Sequence, residues 1–351
     1  MDRSTGGAVV TMREVAERAG VTKQTVSNVV TGRVRVRPET EARVRAAIAE
    51  LGYTPNLVAR SLATGASRTV GLFVPTVTNA FYSEVVEEAE NVLEEHGYHL
   101  LLCTTRQDAE RARRHMASLA SRSVDALLIA GDDGLDDHLP LLAGAGFPIA
   151  LCAWETEIPG TLPVVTIDYE QAGHLAGRHL RELGHERVAV VASLPAHADR
   201  LDGFRRAFAR DGLTVPDAMV FPVSDPTAAG GFTAASEALR AHPELTAIFA
   251  TYDVLAIGAL DAARTLGRAV PGSLSVVGHD DVDEARHVHP SLTTVAIPSR
   301  AMARQAIELL LRAVEDGRPP VNSLQLLRPT LVARDSSGPV PRDSSGPVPR
   351  S

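Results

Sequence analysis

The chain has 351 residues, more than one compact core usually holds, so its length predicts two or three domains. Hydrophobic residues make up 44% and charged residues 22%, as in soluble globular proteins. We find no apolar run long enough to cross a membrane and no secretory signal, so we expect a cytoplasmic protein. Cys103 and Cys152 lie in apolar runs and are predicted to be buried thiols; a disulfide or a catalytic thiol is the alternative.

The net charge of -8 hides an asymmetry between the two ends of the chain. Residues 1–68 carry eleven basic and six acidic side chains, whereas residues 69–351 carry 24 basic and 37 acidic ones. A basic head on an acidic body indicates that only the head meets a polyanion. The single lysine, Lys23, follows Thr22, which excludes the Gly-Lys pair of a Walker A phosphate loop.

Two short helices with a glycine turn between them are predicted at the start of the head. Thr11 and Glu14 have the spacing of a capping box, Gly20 supplies the turn, and Thr22 can cap the second helix. Its outer face is polar and carries Lys23, Gln24, Thr25, Ser27 and Asn28. This pattern favours a helix-turn-helix whose second helix reads bases in the major groove. A surface helix in a small bundle is the alternative.

Basic residues and a third helix follow. Arg33, Arg35 and Arg37 alternate through a loop, where they either contact phosphates or form a solvated charge run. Pro38 begins the third helix, and Tyr53 marks its end. Residues 57–63 are too few to form a stable helix alone, so we expect this segment to fold only against a partner.

From residue 69 the pattern changes to alternating strands and amphipathic helices. Strands are predicted at 70–74, 100–103, 126–129, 149–152, 188–191, 247–249 and 275–277, with helices at 82–95, 109–121, 171–183 and 255–266. Continuous apolar strands in this order favour parallel sheets covered on both faces. At the C-terminus, RDSSGPVP at 334–341 recurs at 342–349, and this polar composition predicts a disordered tail over 334–351.

Several motifs occur together in an order that identifies a family. They are VTMREVAERAGVTKQTVSNVV, YTPNLVARSLATG, TVGLFVPTVTNAFY, LGHERVAVV, ADRLDGFRRAF, FATYDVLAIGAL and LSVVGHDDVDEARHVHPSLTTV. Through them the chain resembles LacI/GalR-type transcriptional regulators over residues 10–335. The resemblance implies a repressor that binds a near-palindromic operator as a homodimer, controlled by a small molecule, with no cofactor and no metal.

The resemblance also implies a domain order and a set of DNA contacts. The helix-turn-helix domain spans 10–54, a hinge helix 55–65, and an effector-binding and dimerisation domain 69–333. Residues assigned to DNA are Thr11, Lys23, Gln24, Thr25, Ser27, Asn28, Arg37, Asn56, Arg60 and Leu62. Leu62 would wedge into the central minor groove, where unstacking is offset by the contacts that a bend permits. Arg37 stands where a serine usually caps the third helix.

The body implied by the resemblance is periplasmic-binding-protein-like, with an effector between two parallel-sheet subdomains. The first would span 69–167 and 298–324, the second 168–297 and 325–333. Six side chains are assigned to the effector, expected to be a sugar or sugar derivative: Phe81, Tyr82, Glu155, Arg200, Tyr252 and Asp280. Tyr252 replaces a usual Asn, and His279 a usual aromatic residue. As alternatives, Arg200 and Asp280 bridge the subdomains, and Phe81 is core.

Two other classes of function share part of this pattern. A transport solute-binding protein shares the body, but the missing signal and the basic head argue against it. A metal enzyme would use the cluster of His279, Asp280, Asp281, His287 and His289, but the family pattern already explains that loop. No nucleophile elbow or dinucleotide fingerprint occurs.

The tail has no leucine heptads that would build a tetramer, so we expect a dimer.

Overall fold

A computed structural model describes residues 10–32, 34–54, 66–106, 108–119, 124–131, 146–155, 160, 162–318 and 323–340. The chain divides into two compact units, a head with three helices and a body with two sheets. Within the described ranges, no helix is both long and apolar enough to span a membrane.

The described residues of the head form three short helices around one apolar core. They are α1 (Met12–Ala19), α2 (Lys23–Thr31) and α3 (Pro38–Leu51). The predicted capping box is present: the Thr11 amide donates to Glu14 Oε2 over 2.6 Å, and the Glu14 amide donates to Thr11 Oγ1. These bonds hold the pKa of Glu14 below its usual range. Gly20 takes a φ of 65°, which lets the chain turn sharply into α2.

Seven side chains form the buried core of the head: Val15, Ala16, Ala19, Val26, Val44, Ala47 and Tyr53. The core is small, and Val26 is the one fully buried residue that α2 contributes to it. Arg18 donates to Glu50 over 2.8 Å and ties α1 to α3 at the surface. The predicted helix-turn-helix is thus confirmed.

The first sheet of the body is parallel throughout. Its strands are β1 (Thr69–Val74), β2 (His99–Thr104), β3 (Ala126–Ala130), β4 (Ile149–Cys152), β5 (Val164–Ile167) and β11 (Leu324–Leu327), in the order β11-β5-β4-β3-β1-β2. Helices α4 (Ala80–Glu95), α5 (Ala109–Leu119) and α11 (Ser299–Asp316) belong to this subdomain. Strands β1 and β3–β5 are buried almost throughout, which explains their continuous apolar sequences.

The second sheet adds one antiparallel strand to five parallel ones. Its strands are β6 (Val188–Ala192), β7 (Val220–Pro222), β8 (Ala247–Ala250), β9 (Ser275–Asp280), β10 (Thr293–Ala296) and β12 (Thr330–Val332), in the order β12-β10-β9-β8-β6-β7. Its helices are α6 (Tyr169–Glu182), α7 (Ala198–Ala209), α8 (Ala228–Ala241), α9 (Asp253–Thr265) and α10 (Glu284–His287), with a short 3-10 helix at Asp217–Met219. All seven predicted strands lie within observed ones.

The chain passes between the two sheets three times. The first passage follows β5 at Asp168, the second follows β10 at Pro298, and the third lies between β11 and β12. The predicted boundary at 324/325 is wrong, because Leu324–Leu327 pairs in parallel with β5 and so belongs to the first sheet. The change of sheet occurs at residues 328 and 329.

The predicted disorder of residues 334–340 is also wrong. This segment packs on the second sheet, and its Ser336 is fully buried. Serine and glycine suit the site because short side chains let the backbone approach β9 closely and supply hydrogen bonds. The Ser336 carbonyl accepts from the Val276 amide over 2.8 Å, and Ser336 Oγ donates to the Val276 carbonyl over 2.6 Å. The second copy of the repeat lies outside the described residues.

Both cysteines are free in the structure. Cys103 is half-buried on β2, and Cys152 is fully buried on β4. Burial raises the pKa of the Cys152 thiol to about 12, which keeps it protonated and unreactive. The alternatives of a disulfide or a Cys152 nucleophile are therefore not supported.

Glycines bring α6 and α7 into backbone contact. A Cβ added at Gly173 would lie 1.9 Å from the Arg200 carbonyl oxygen, and one added at Gly203 would lie 1.8 Å from the Glu170 carbonyl oxygen. Neither backbone oxygen can move as a flexible side chain would. The close approach fixes the first turns of both helices, which carry Tyr169 and Arg200.

We predict that Gly203→Ala destabilises the body by about 2–3 kcal/mol, because overpacking at a backbone contact outweighs the gain in helix propensity. Gly160→Ala is the matched control, since a Cβ there meets no atom within 4 Å. Urea unfolding followed by circular dichroism measures both. Equal midpoints for the two variants would show that the helix contact tolerates a methyl group.

Candidate nucleic-acid interface and effector cleft

The outer face of α2 carries the predicted base-reading residues. Lys23 and Gln24 are exposed, while Thr25, Ser27 and Asn28 are half-buried. Gln24 Nε2 donates to Asn28 Oδ1 over 3.1 Å, one helical turn away. This bond orders both amides and leaves the Gln24 carbonyl and the Asn28 amino group free to face a base edge. An acceptor and a donor therefore lie one helical turn apart on this face, and adenine presents one donor and one acceptor in the major groove.

The other predicted DNA residues differ in how far the structure describes them. Thr11 is exposed, but its hydroxyl and amide are engaged in the capping box. Arg37 precedes α3, is exposed and makes no side-chain cap, as its sequence position predicted. The hinge residues Asn56, Arg60 and Leu62 lie outside the described residues, and so does Arg33.

All six predicted effector residues line one cavity between the two subdomains. Its lining consists of Phe81, Tyr82, Ala153, Glu155, Tyr169, His197, Arg200, Tyr252, Asp280 and Ile297. Nearly all of these residues follow the carboxyl ends of the strands, where ligands of open α/β sheets bind. The cavity volume is about 10 Å³, room for about one water molecule. A sugar-sized ligand therefore requires separation of the subdomains or rotation of side chains.

Arg200 occupies the centre of this cleft and is paired on several sides. Its Nη2 lies 2.7 Å from Glu155 Oε2, and its Nε donates to both Glu155 oxygens over 3.0 Å. Its Nη1 donates to the Thr251 carbonyl over 2.6 Å. Glu155 follows β4 of the first subdomain and Arg200 lies on α7 of the second. Their ion pair therefore crosses the cleft, with both side chains only 5% exposed.

Two tyrosine rings lie against the guanidinium of Arg200. Its central carbon lies 4.8 Å from the centre of the Tyr169 ring and 5.0 Å from that of Tyr252. His197 packs edge-on against Tyr252 with 4.2 Å between ring centres. Tyr252 therefore acts here as a cover for the cation, a role that an asparagine at this position would not fill. The departure from the family pattern at this position thus has a physical reason.

The ionisable groups of the cleft have strongly perturbed pKa values. Burial alone would lower the pKa of Arg200, but Glu155 and Asp280 reverse the effect and raise it. Burial raises the pKa of Asp280 well above its usual range, and Arg200, 3.8 Å away, opposes that only in part. Burial and the Arg200 charge hold the pKa of His279 well below its usual range. A neutral His279 can accept from Arg200 Nη1 through its Nδ1, over 3.1 Å.

Backbone geometry also marks the cleft. Asp280, at the end of β9, has a φ of 125°, which L residues rarely adopt. The Ile297 amide donates to the Asp280 carbonyl over 3.3 Å. Tyr169, His197, Ala153 and Ile297 were missed as cleft residues. Each follows a strand directly or by a few residues, and β5 and β10, which precede Tyr169 and Ile297, were themselves not predicted.

The chain thus combines a helix-turn-helix head, a motif of DNA-binding proteins, with a two-subdomain body that contains a cleft. A family model described as bacterial regulatory proteins, lacI family, matches residues 11–56. A second, described as a periplasmic binding protein-like domain, matches residues 177–337.

Relatives match along nearly the whole chain. The HTH-type transcriptional repressor PurR of Proteus mirabilis (strain HI4320) is 32% identical over 333 residues, covering 93% of this chain and 97% of that protein. The structure of the lac repressor dimer bound to operator and the anti-inducer ONPF is 27% identical with a TM-score of 0.83, covering 94% and 100%. A complex of the transcriptional regulator CelR with cellobiose is 31% identical with a TM-score of 0.70, covering 93% and 99%.

The chain belongs to the LacI family of bacterial regulatory proteins and is a DNA-binding transcriptional repressor of that family. The predicted family and fold class are confirmed. Its relatives are repressors, which favours a regulator over a transport protein or an enzyme.

We predict that removal of either partner of the cross-cleft pair is costly, because the other charge is left buried. Arg200→Met and Glu155→Leu should each lower the free energy of unfolding by about 3–5 kcal/mol. The double variant should lose clearly less than the sum, since no uncompensated partner remains. Arg178→Met with Glu182→Leu is the control, an ion pair with side chains 58% and 62% exposed. If the double variant loses as much free energy of unfolding as the two single variants together, the Arg200–Glu155 ion pair does not couple the two sites.

Proposed function

We propose that the chain is a homodimeric repressor that binds a near-palindromic operator and is controlled by a sugar or sugar derivative in the cleft. The observation that carries this proposal is the Arg200–Glu155 pair, which joins the subdomains inside a cavity lined by all six predicted effector residues. Such a protein would act in the cytoplasm, on the nucleoid when it is bound to its operator.

Paired heads would read DNA through α2. Gln24 and Asn28 present an acceptor and a donor that fit the N6/N7 edge of adenine, and Lys23 fits the O6/N7 edge of guanine. Thr25 and Ser27 would add contacts from the same face, while Thr11 and Arg37 would contact phosphates. Asn56, Arg60 and Leu62 remain predicted hinge contacts.

The proposed dimer interface includes β2, an edge strand of the first sheet. Leu101 and Leu102 on this strand are each 37% exposed, and Val77, which follows the neighbouring strand β1, is 46% exposed. Exposed leucines on an unpaired sheet edge are available to a partner. The opposite edge, β11, also exposes leucines, so the proposal that β2 is the covered edge is tested against β11. A second copy of the chain is the proposed partner, in line with the relative whose structure is a dimer on its operator.

We predict that Leu101→Asp shifts the protein toward a monomer, because a carboxylate would be buried without a partner in the dimer. Leu326→Asp on β11, the opposite edge of the same sheet and 54% exposed, is the control and should stay dimeric. Sedimentation velocity over a concentration series measures both. A Leu101→Asp protein that sediments as the wild type would exclude this strand from the interface.

Control by the effector would act through the cross-cleft pair. A ligand that offers hydroxyls to Glu155 and Asp280, or acceptors to Arg200, replaces contacts that the closed body makes internally. Such a ligand can shift the equilibrium between the closed and the open body only if it binds these two states with different affinities. In a dimer, that shift would change whether the two hinge segments can fold together on DNA.

A planar nitrogen heterocycle is the second candidate for the effector. The rings of Tyr169 and Tyr252 both lie against the flat guanidinium of Arg200, with their centres 4.8 and 5.0 Å from its central carbon. A purine-like base has a similar flat shape and would suit the same rings. A sugar would instead rely on the carboxylates of the cleft.

Selection of binding sites from random DNA tests the function. We expect an enriched near-palindrome. Gln24→Ala should change the preference at one base pair per half-site at a cost of about 1–3 kcal/mol. Arg37→Ser should weaken binding to all sequences alike and lower the salt slope by about 0.9 for each phosphate that is no longer neutralised. Failure to enrich any palindrome would refute the proposal.

The selected duplex then serves as the probe for the effector. Sugars and nucleobases are titrated separately against the protein–DNA complex, and the change in operator affinity is measured. A response to a sugar that Glu155→Gln abolishes supports the first candidate, whereas a response only to nucleobases supports the second. Operator binding that no compound of either class alters would refute both effector assignments.

A further inference from the structure

Residues 334–340, the first copy of the repeat apart from its last proline, occupy a groove on the second subdomain. We name this surface the tail groove; its walls are formed by His179, Leu183, His185, Ser275, Val276 and Thr293. These residues come from α6 and its end and from strands β9 and β10. The segment therefore joins a helix to the sheet on which it packs.

Ser336 is the anchor of the segment and is fully buried. Its hydroxyl donates to the Val276 carbonyl over 2.6 Å and accepts from the Thr293 amide over 2.8 Å. Its carbonyl accepts from the Val276 amide over 2.8 Å. One serine thus satisfies three backbone groups of β9 and β10. An apolar side chain would leave the Val276 carbonyl and the Thr293 amide without this partner, and a larger one would not fit in the buried position.

The groove also selects residues on either side of Ser336. Arg334 forms an ion pair with Asp281 and donates to the Leu292 carbonyl over 2.7 Å. The Gly338 amide donates to Ser275 Oγ over 3.0 Å, and a Cβ added at Gly338 would lie 3.3 Å from Pro271. Arginine, serine and glycine are therefore each favoured at their own positions. Such contacts amount to recognition of a peptide sequence.

The chain carries that sequence twice. Residues 342–349 repeat RDSSGPVP without a change and follow directly after the first copy. To place the second copy in the groove, residues 334–341 must close as a loop at the end of β12. The cost of loop closure grows slowly with length, and this loop contains glycine and serine. The first copy needs no such loop, so it is preferred while it can bind.

We propose that the tail groove is a binding site selective for the peptide Arg-Asp-Ser-Ser-Gly-Pro-Val, and that residues 342–348 of the same chain are its alternative occupant. The second copy enters by a shift of eight residues when the first copy cannot be held. The groove then stays filled, and the contacts between α6 and the sheet are kept.

Substitution, rather than deletion, tests this proposal, because deletion of either copy gives the same sequence. The full-length variants are Ser336→Leu, Ser344→Leu and the double variant. The readout is hydrogen exchange of the Val276 and Thr293 amides, which donate to Ser336 in the structure. Ser344→Leu should match the wild type. Ser336→Leu should keep protection of these amides, whereas the double variant should exchange at least roughly tenfold faster or fail to fold.

Three outcomes would overturn the proposal. If the Val276 and Thr293 amides exchange as fast in Ser336→Leu as in the double variant, the second copy does not bind. Full protection in the double variant would show that the groove does not depend on either serine. Protection of Ser336→Leu that disappears on dilution would show that another molecule supplies the segment, which contradicts occupation by the same chain.

Discussion

Arg200 places a permanent positive charge where almost no water reaches, and the surrounding structure compensates for it. The carboxylate of Glu155 pairs with it, the Thr251 carbonyl and a neutral His279 accept from it, and two tyrosine rings lie against it. These groups come from several elements of both subdomains, so the charge can be stabilised only when those elements are correctly placed. The glycine contacts between α6 and α7 secure the helix that carries it.

This dependence gives the cleft two properties that a regulator needs. Without an effector, the closed arrangement of the two subdomains is stabilised by a specific ion pair rather than by a flat apolar contact. Under the proposed function, an effector would therefore have to supply polar groups that match Glu155 or Arg200, since a ligand that only fills space would leave a charge buried and unpaired. Selectivity for a polar effector would then follow from the charge, for a sugar and for a heterocycle alike.

Much of the fold follows from local sequence. The caps of α1 and α2, the Gly20 turn and the apolar strands each depend on neighbouring residues, which is why their positions were predictable. The strands β5, β7, β10, β11 and β12 are not predicted, because each has only three or four residues and contains a threonine, a glutamine or a proline, whereas the equally short β4 and β8 are apolar throughout. The sequence predicts Ser336 as part of a disordered tail because its partners, Val276 and Thr293, are far away in the chain.

The cleft, too, was predictable only in part. Its six predicted residues came from a family resemblance, and the rule that ligands bind at the carboxyl ends of strands explains why they meet. The direct pairing of Glu155 with Arg200 across the subdomains was not predictable, because their separation in the chain contains no periodic signal. The role of Tyr252 as a cover for Arg200 depends on that pairing and was equally hidden.

The three passages between the sheets determine how the body can move. Pro298 lies in the second and Pro329 in the third, and a proline ring fixes the backbone angle φ. Each of these two passages therefore has one fixed torsion, whereas the first, at Asp168, has none. Separation of the subdomains would turn the free torsions of all three passages at once, so that opening depends on three short connections moving together rather than on one hinge residue.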